Sequence, residues 1–152
     1  QIESEYLDGQ NNEFALDNFN QVIKRFPNSK YASDSMQKII IINENIAAKH
    51  MDIALFYLNQ KKYLAAMKRY QKVIEMHSKS KFTPEALHRL VEIYFSLGMV
   101  EDAKKTAAVL GYNYPESKWY KFSYDLVGPQ EEIKDKSFFN KISNLFKNNE
   151  KE

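Results

Sequence analysis

The phrase RFPNSKYA at residues 25–32 recurs as MHSKSKFT at 76–83 and as NYPESKWY at 113–120. The copies are 51 and then 37 residues apart. Aligning them aligns what precedes them. Ala15, Ala66 and Ala103 coincide, with Tyr6, Tyr57 and Tyr94 each nine residues earlier. Phe19 and Tyr70 share a position that Ala107 takes in the third copy, and Val22, Val73 and Leu110 follow three residues later. Pro27, Ser78 and Pro115 close the units. A chain written this way folds as a stack of similar units, because one unit alone cannot bury its apolar face.

A tyrosine, an alanine, an aromatic, an aliphatic residue and a closing proline at these offsets resemble the tetratricopeptide repeat, a helix pair per unit. The expected fold is therefore all-α, a tetratricopeptide-type helical solenoid. The alanine lets two helices approach, the rings fill the gap between them, and proline stops the second helix. Gly98 falls in the tight turn of the third copy, and Lys61 holds the same place in the second. In KSKFTPEAL, Thr83 is the expected N-cap, Pro84 the first helical residue, and Phe82 a staple onto Leu87. The aromatic ending each phrase is expected to be a packing pin rather than a ligand contact.

The uneven spacing is informative. A regular repeat is about 34 residues. The first interval exceeds the second by 51 − 37 = 14 residues, close to four helical turns. An insertion of that size lengthens a helix while keeping its buried face in register. One long helix is predicted over residues 32–59, on the order of 40 Å. Ile39, Ile42, Ile46 and Ile53 make one stripe along it, and Ile40, Ala47, Met51, Ala54 and Leu58 a second. A helix apolar on two sides is expected to pack on two sides.

After the third phrase, ESKWYKFSYDLVG reads as a terminal helix capping the stack, ended by Gly128-Pro129. The expected domain organisation is a solenoid over 1–128, followed by a polar linker and short amphipathic tail helix over 129–152. In that tail Phe138, Phe139, Ile142, Leu145 and Phe146 share one helical face. The face suits end-capping or docking to a partner. The tail's lysines are offset by acidic residues, so membrane attraction is weak.

Composition narrows the function. Apolar residues are 43% and charged residues 28% of the 152, enough for a core and unlike disorder. The 22 basic and 20 acidic residues are well mixed, so no basic stripe suggests nucleic acid. Four glycines and four prolines favour long helices. The absence of cysteine removes disulfides and thiolate chemistry. Glu85, His88 and Glu92 share a helix face, half of a di-iron pattern that has no second Glu-x-x-His here, so a solvated face is expected instead. No phosphate loop, nucleophile elbow or calcium loop occurs. A non-catalytic protein with no cofactor and no metal is expected.

In KKYLAAMKRYQK, Tyr63, Ala66, Tyr70 and Val73 are needed for packing. That leaves Arg69, with Lys62, Lys68 and Lys72, as candidate partner contacts. Arg69 is the one of interest, since its guanidinium fork suits a carboxylate on a partner. Lysines at such positions are ordinarily solubility charges.

RFPNSKYASDS, the long helix, and TPEALHRLVEIYFSLGMVEDAKKTAAVLGYNYPESKWY together resemble the carboxy-terminal part of the BamD (ComL) family over residues 12–124. These are tetratricopeptide lipoproteins of bacterial outer-membrane β-barrel assembly. The resemblance implies a longer protein with a lipidated cysteine and further repeats upstream, both absent from this chain. It implies a place on the periplasmic face of the outer membrane and a scaffold role. The implied partners are a barrel subunit, met through its last POTRA domain, the other assembly lipoproteins, and unfolded outer-membrane proteins. Arg69 in AAMKRY matches the arginine of the family's docking segment. His77-Ser78 departs from the aromatic-proline of that hinge, and the tail matches no family pattern. The alternative is another periplasmic repeat protein of the Tol-Pal coordinator type, which would keep an even spacing.

Overall fold

The computed structural model describes residues 2–129, and these fall into two compact units that divide between residues 47 and 48. The expected linker and tail helix over 129–152 lie outside the described residues, apart from Pro129. Six α-helices and no strand occur among the described residues. They are α1 (Ile2–Arg25), α2 (Lys30–Asn59), α3 (Tyr63–Met76), α4 (Thr83–Ser96), α5 (Val100–Asn113) and α6 (Lys118–Val127). The long helix is α2, 30 residues and so about 45 Å.

In the first unit, Ala15 and Phe19 of α1 are half-buried, and Lys38 of α2 sets its Nζ 5.4 Å from the Phe19 ring centre. Tyr6 lies within α1. α1 stops two residues before Pro27, which is exposed in the turn. Ser29 then fastens the start of α2. Its hydroxyl donates to the Phe26 carbonyl at 2.7 Å and accepts the Ala32 N–H at 3.1 Å. That is N-capping, which meets one of the orphan donors of a helix start.

Two expectations for α2 are corrected. Tyr31 is not a packing pin: it is 76% exposed, and Ala32 beside it takes the inward place at 1%. The helix is also not buried along both stripes. Ala47, Met51 and Ala54 are buried, but Ile40 is 62% exposed and the other isoleucine stripe is half-buried throughout. Ala47, Met51 and Ala54 hold the innermost line, and the isoleucines stand along its flanks.

The second unit centres on α4, which packs against α3, α5 and α6, while α5 also packs on α6. Its core is Ala66, Tyr70 and Val73 from α3, Leu87, Leu90, Val91 and Ile93 from α4, and Ala103, Ala107 and Leu110 from α5. Tyr94 is buried, and Tyr57 is half-buried. Alanines at 66, 86, 103 and 107 are fully buried, which permits close helix approach. Gly111 has the same use on α5. A Cβ there would sit 2.4 Å from the Tyr120 ring of α6.

The two turns within this unit repeat each other. Lys61 N–H donates to Leu58 and Lys62 N–H to Tyr57, just as Gly98 donates to Phe95 and Met99 to Tyr94. Both turns need a left-handed residue at the helix end. Lys61 has φ +58° and Gly98 φ +76°.

The hinges repeat too. The N–H of Ser29, Ser80 and Ser117 donates to the carbonyl three residues back, at 3.1, 2.8 and 3.0 Å. Each hydroxyl then accepts an N–H of the next helix start: Ala32, Phe82 or Trp119. Thr83 is not the N-cap of α4, since the helix already begins there, with Phe82 in the capping position and Pro84 second. The buried Thr83 hydroxyl instead donates to the His77 carbonyl at 2.9 Å. α5 ends two residues before the exposed Pro115, and Tyr114 beside it donates its hydroxyl to the Ser78 carbonyl of the preceding hinge.

The turn chemistry gives a pair of opposite predictions. Gly98→Ala adds a Cβ that meets nothing, so only the left-handed backbone resists it, at about 1–2 kcal/mol of lost stability. Lys61→Gly relieves the same conformation and raises stability by up to about 1 kcal/mol, the gain being trimmed by unfolded-state entropy. Urea unfolding of the two variants checks both signs.

Candidate functional site

α3 carries the candidate contacts. Its inward side is Ala66, Tyr70, Val73 and Ile74. Leu64, Lys68, Lys72 and Met76 then follow one another at four-residue steps on the outward side. Lys68 and Lys72 are exposed, Leu64 is 73% exposed and Met76 69%. The result is a line of two cations with an apolar side chain at each end. Lys62 is exposed in the turn just before the helix.

Arg69 stands at the edge of this face, half-buried. Its Nη1–H donates to Nδ1 of His50 on α2 at 3.3 Å. An Nδ1 that accepts leaves the imidazole proton on Nε2. The ring of His50 lies 6.5 Å from that of His77, which is buried at the end of α3. His77 thus takes an inward place in the hinge that lacks the usual aromatic-proline. The bond ties the Arg69 guanidinium to α2 while the helix holds Lys68 and Lys72 beside it. A braced guanidinium loses less side-chain freedom on meeting a carboxylate than a free one.

Glu85, His88 and Glu92 do share a face of α4, but His88 is not solvated. It is 4% exposed, its Nδ1 lies 2.8 Å from the Ser123 hydroxyl of α6, and its Nε2 lies 3.5 Å from Glu92. Arg89 donates to Glu92 at 2.9 Å and to Glu85 at 3.4 Å. It also lies 5.5 Å from the Trp119 ring. The expected solvated face is therefore a polar seam on which α6 lands. The driving cause is α6 itself, which covers His88 with Ser123, Trp119 and Phe122. Among the described residues, no three His, Asp or Glu side chains gather as metal ligands would.

Ser123 and Trp119 were not singled out for the seam by sequence reasoning. The signal for Trp119 was present, as the aromatic that ends the third phrase. Ser123 had none, since one serine in a short helix is ordinary.

A family model described as an outer membrane lipoprotein, YfiO, matches residues 2–110. The chain is 50% identical over 111 residues to the outer membrane protein assembly factor BamD of Rickettsia prowazekii, covering 73% of this chain and 44% of that protein. It is 45% identical over 115 residues to the BamD of Caulobacter vibrioides, covering 76% and 38%. The BamD of Neisseria meningitidis serogroup A is 33% identical over 106 residues, covering 70% and 40%. The chain thus spans less than half the length of these relatives.

The seam and the buried tyrosines set a pH dependence with two arms. Burial alone would raise the Glu92 carboxyl, but hydrogen bonds from His88 and Arg89 and the Arg89 charge outweigh it, so Glu92 ionises below its ordinary 4.5. A depressed acid contributes stability above that value and loses it as pH falls through the folded value. Burial pushes the phenols of Tyr70 and Tyr94 up to about 12 from 10. A raised phenol contributes fully below pH 10 and loses that contribution as pH rises towards 12. Thermal unfolding against pH is expected to fall at both ends. Glu92→Gln flattens the acid arm, and Tyr70→Phe weakens the alkaline one.

Proposed function

The chain belongs to the YfiO (BamD) family of outer membrane lipoproteins, and from that premise we propose that it is a non-catalytic scaffold segment in outer-membrane β-barrel protein assembly. The whole protein works at the periplasmic face of the outer membrane, held there by a lipid anchor on its upstream part. No helix among the described residues is long and apolar enough to cross a membrane. The second unit docks the periplasmic POTRA region of the barrel subunit. It acts beside the other assembly lipoproteins and helps pass unfolded outer-membrane proteins to the barrel.

The observation that carries the docking assignment is Arg69, braced by His50 at the edge of the Leu64–Lys68–Lys72–Met76 line. Two apolar ends around a cationic centre suit a partner surface of carboxylates flanked by apolar side chains. The bidentate fork of Arg69 supplies orientation, and Lys62, Lys68 and Lys72 supply attraction that steers encounter. The well-mixed charge elsewhere, net +2 over the chain, keeps that attraction local.

Arg69→Glu is expected to weaken binding to the purified periplasmic domains of the barrel subunit by about tenfold or more, the scale of a lost charge-assisted contact. Lys68→Ala and Lys72→Ala are expected to act mainly on the association rate and its salt dependence. Titration calorimetry and surface binding kinetics read these effects. Absence of any association by the parent chain overturns the reading.

A further inference from the structure

Three side chains that carry or can gain a proton meet at one place in the second unit. Arg69 of α3 and His50 of α2 are both half-buried, and the Arg69 Nη1 lies 3.3 Å from the His50 Nδ1. The ring of His77, buried just after α3, lies 6.5 Å from that of His50.

Chemistry fixes the protonation that this contact requires. A guanidinium has N–H donors and no acceptor, and it does not lose its charge. The Arg69 contact is therefore a hydrogen bond only while the His50 Nδ1 carries no proton. A second proton on the imidazole turns Nδ1 into a donor and sets two positive charges side by side. Histidine is the side chain that makes this change at about pH 6.5.

The groups around His50 fit that role. From α3 it faces Arg69, with Lys72 three residues further along that helix. From the hinge it faces His77. On α2 the positions three and four residues away are Ile46, Ala47, Ile53 and Ala54. None of these offers a negative charge to a protonated His50. Lys49 and Asp52 are exposed and stand on other sides of the helix. The acids of α4, Glu85 and Glu92, are engaged by Arg89 and His88.

We infer that His50 is a pH-operated latch on Arg69: the neutral ring holds the guanidinium in place, and the protonated ring releases it. The latch is a property of the free chain, and only its consequence rests on the proposed docking role of Arg69. A released side chain must be ordered again when it meets a carboxylate. Docking therefore weakens as pH falls through the histidine range. The loss falls on the dissociation rate, since the lysines that steer encounter are not part of the latch.

The latch is read first without a partner, by NMR of the 152-residue chain. The chain has three histidines, and His50→Gln identifies the signal of His50. The Arg69 side-chain N–H signals are expected to lose their protection from exchange as His50 gains its proton. Arg69→Leu is expected to move the His50 titration midpoint upward, because a neighbouring cation is gone. A midpoint that Arg69→Leu leaves in place overturns the latch. The consequence is read by binding to the purified periplasmic domains of the barrel subunit. In His50→Gln the amide oxygen still accepts from Arg69 and never titrates. Affinity is expected to fall about threefold between about pH 7.5 and about pH 5.5 in the parent chain and to stay level in His50→Gln. Equal falls in both chains, or tighter binding by the parent at the acid end, overturn the inference. Absence of binding at every pH overturns the docking reading alone, and the NMR titration then decides the latch.

Discussion

The helix stack depends on how its hinges satisfy backbone hydrogen bonds. A short helix leaves several N–H groups without partners at its start, and a chain of short helices multiplies that cost. Here the repeated serine meets it at each hinge. Its N–H reaches back three residues, and its hydroxyl accepts a donor from the next helix start. The middle hinge adds Thr83 on the His77 carbonyl, and the last adds Tyr114 on the Ser78 carbonyl. These bonds set the angle at which successive helices leave the hinge, and side-chain packing then follows from that angle.

The role of α4 follows from this. With its ends fixed, α4 turns Ala86, Leu87, Leu90 and Val91 into the core and keeps Glu85, Arg89 and Glu92 on the opposite edge. His88 lies between the two, too deep for water and too polar for the core. It is tolerated because Ser123 and Glu92 face its two nitrogens, and a buried polar group costs little when it is bonded. The same His88 gives α6 a directional anchor that apolar contact alone would lack. α6 is a short helix of ten residues, and such a helix gains little from propensity by itself.

Much of this was legible before any coordinates. The period exposed the helix pairs, the uneven interval exposed α2, and Gly98 with its counterpart Lys61 marked the tight turns. Those features are local or periodic, so sequence carries them. The hinge serine is also constant in the sequence, at positions 29, 80 and 117. What sequence could not carry was the choice among residues of equal hydrophobicity. Ile40 belongs to one stripe with Ala47 and Met51, yet it is exposed while those two are buried. Tyr31 and Trp119 end equivalent phrases, yet Tyr31 is exposed while Trp119 is half-buried against His88. Tertiary neighbours decide such cases, and a one-dimensional pattern does not contain them.

The proposed docking face draws its precision from the same scaffold. A lysine on an exposed helix face can swing through many rotamers, and contributes attraction more than geometry. Arg69 differs because it stands where α3 meets α2, close enough for His50 to hold its guanidinium. The long α2 is what makes this possible. It continues beyond residue 47 into the second unit and carries His50 opposite the second turn of α3. The helical insertion that lengthens α2 preserves the face on which His50 lies, since fourteen residues return a helix nearly to the same side. The feature that separates this chain from a regular repeat array therefore leaves intact the geometry on which the docking surface relies.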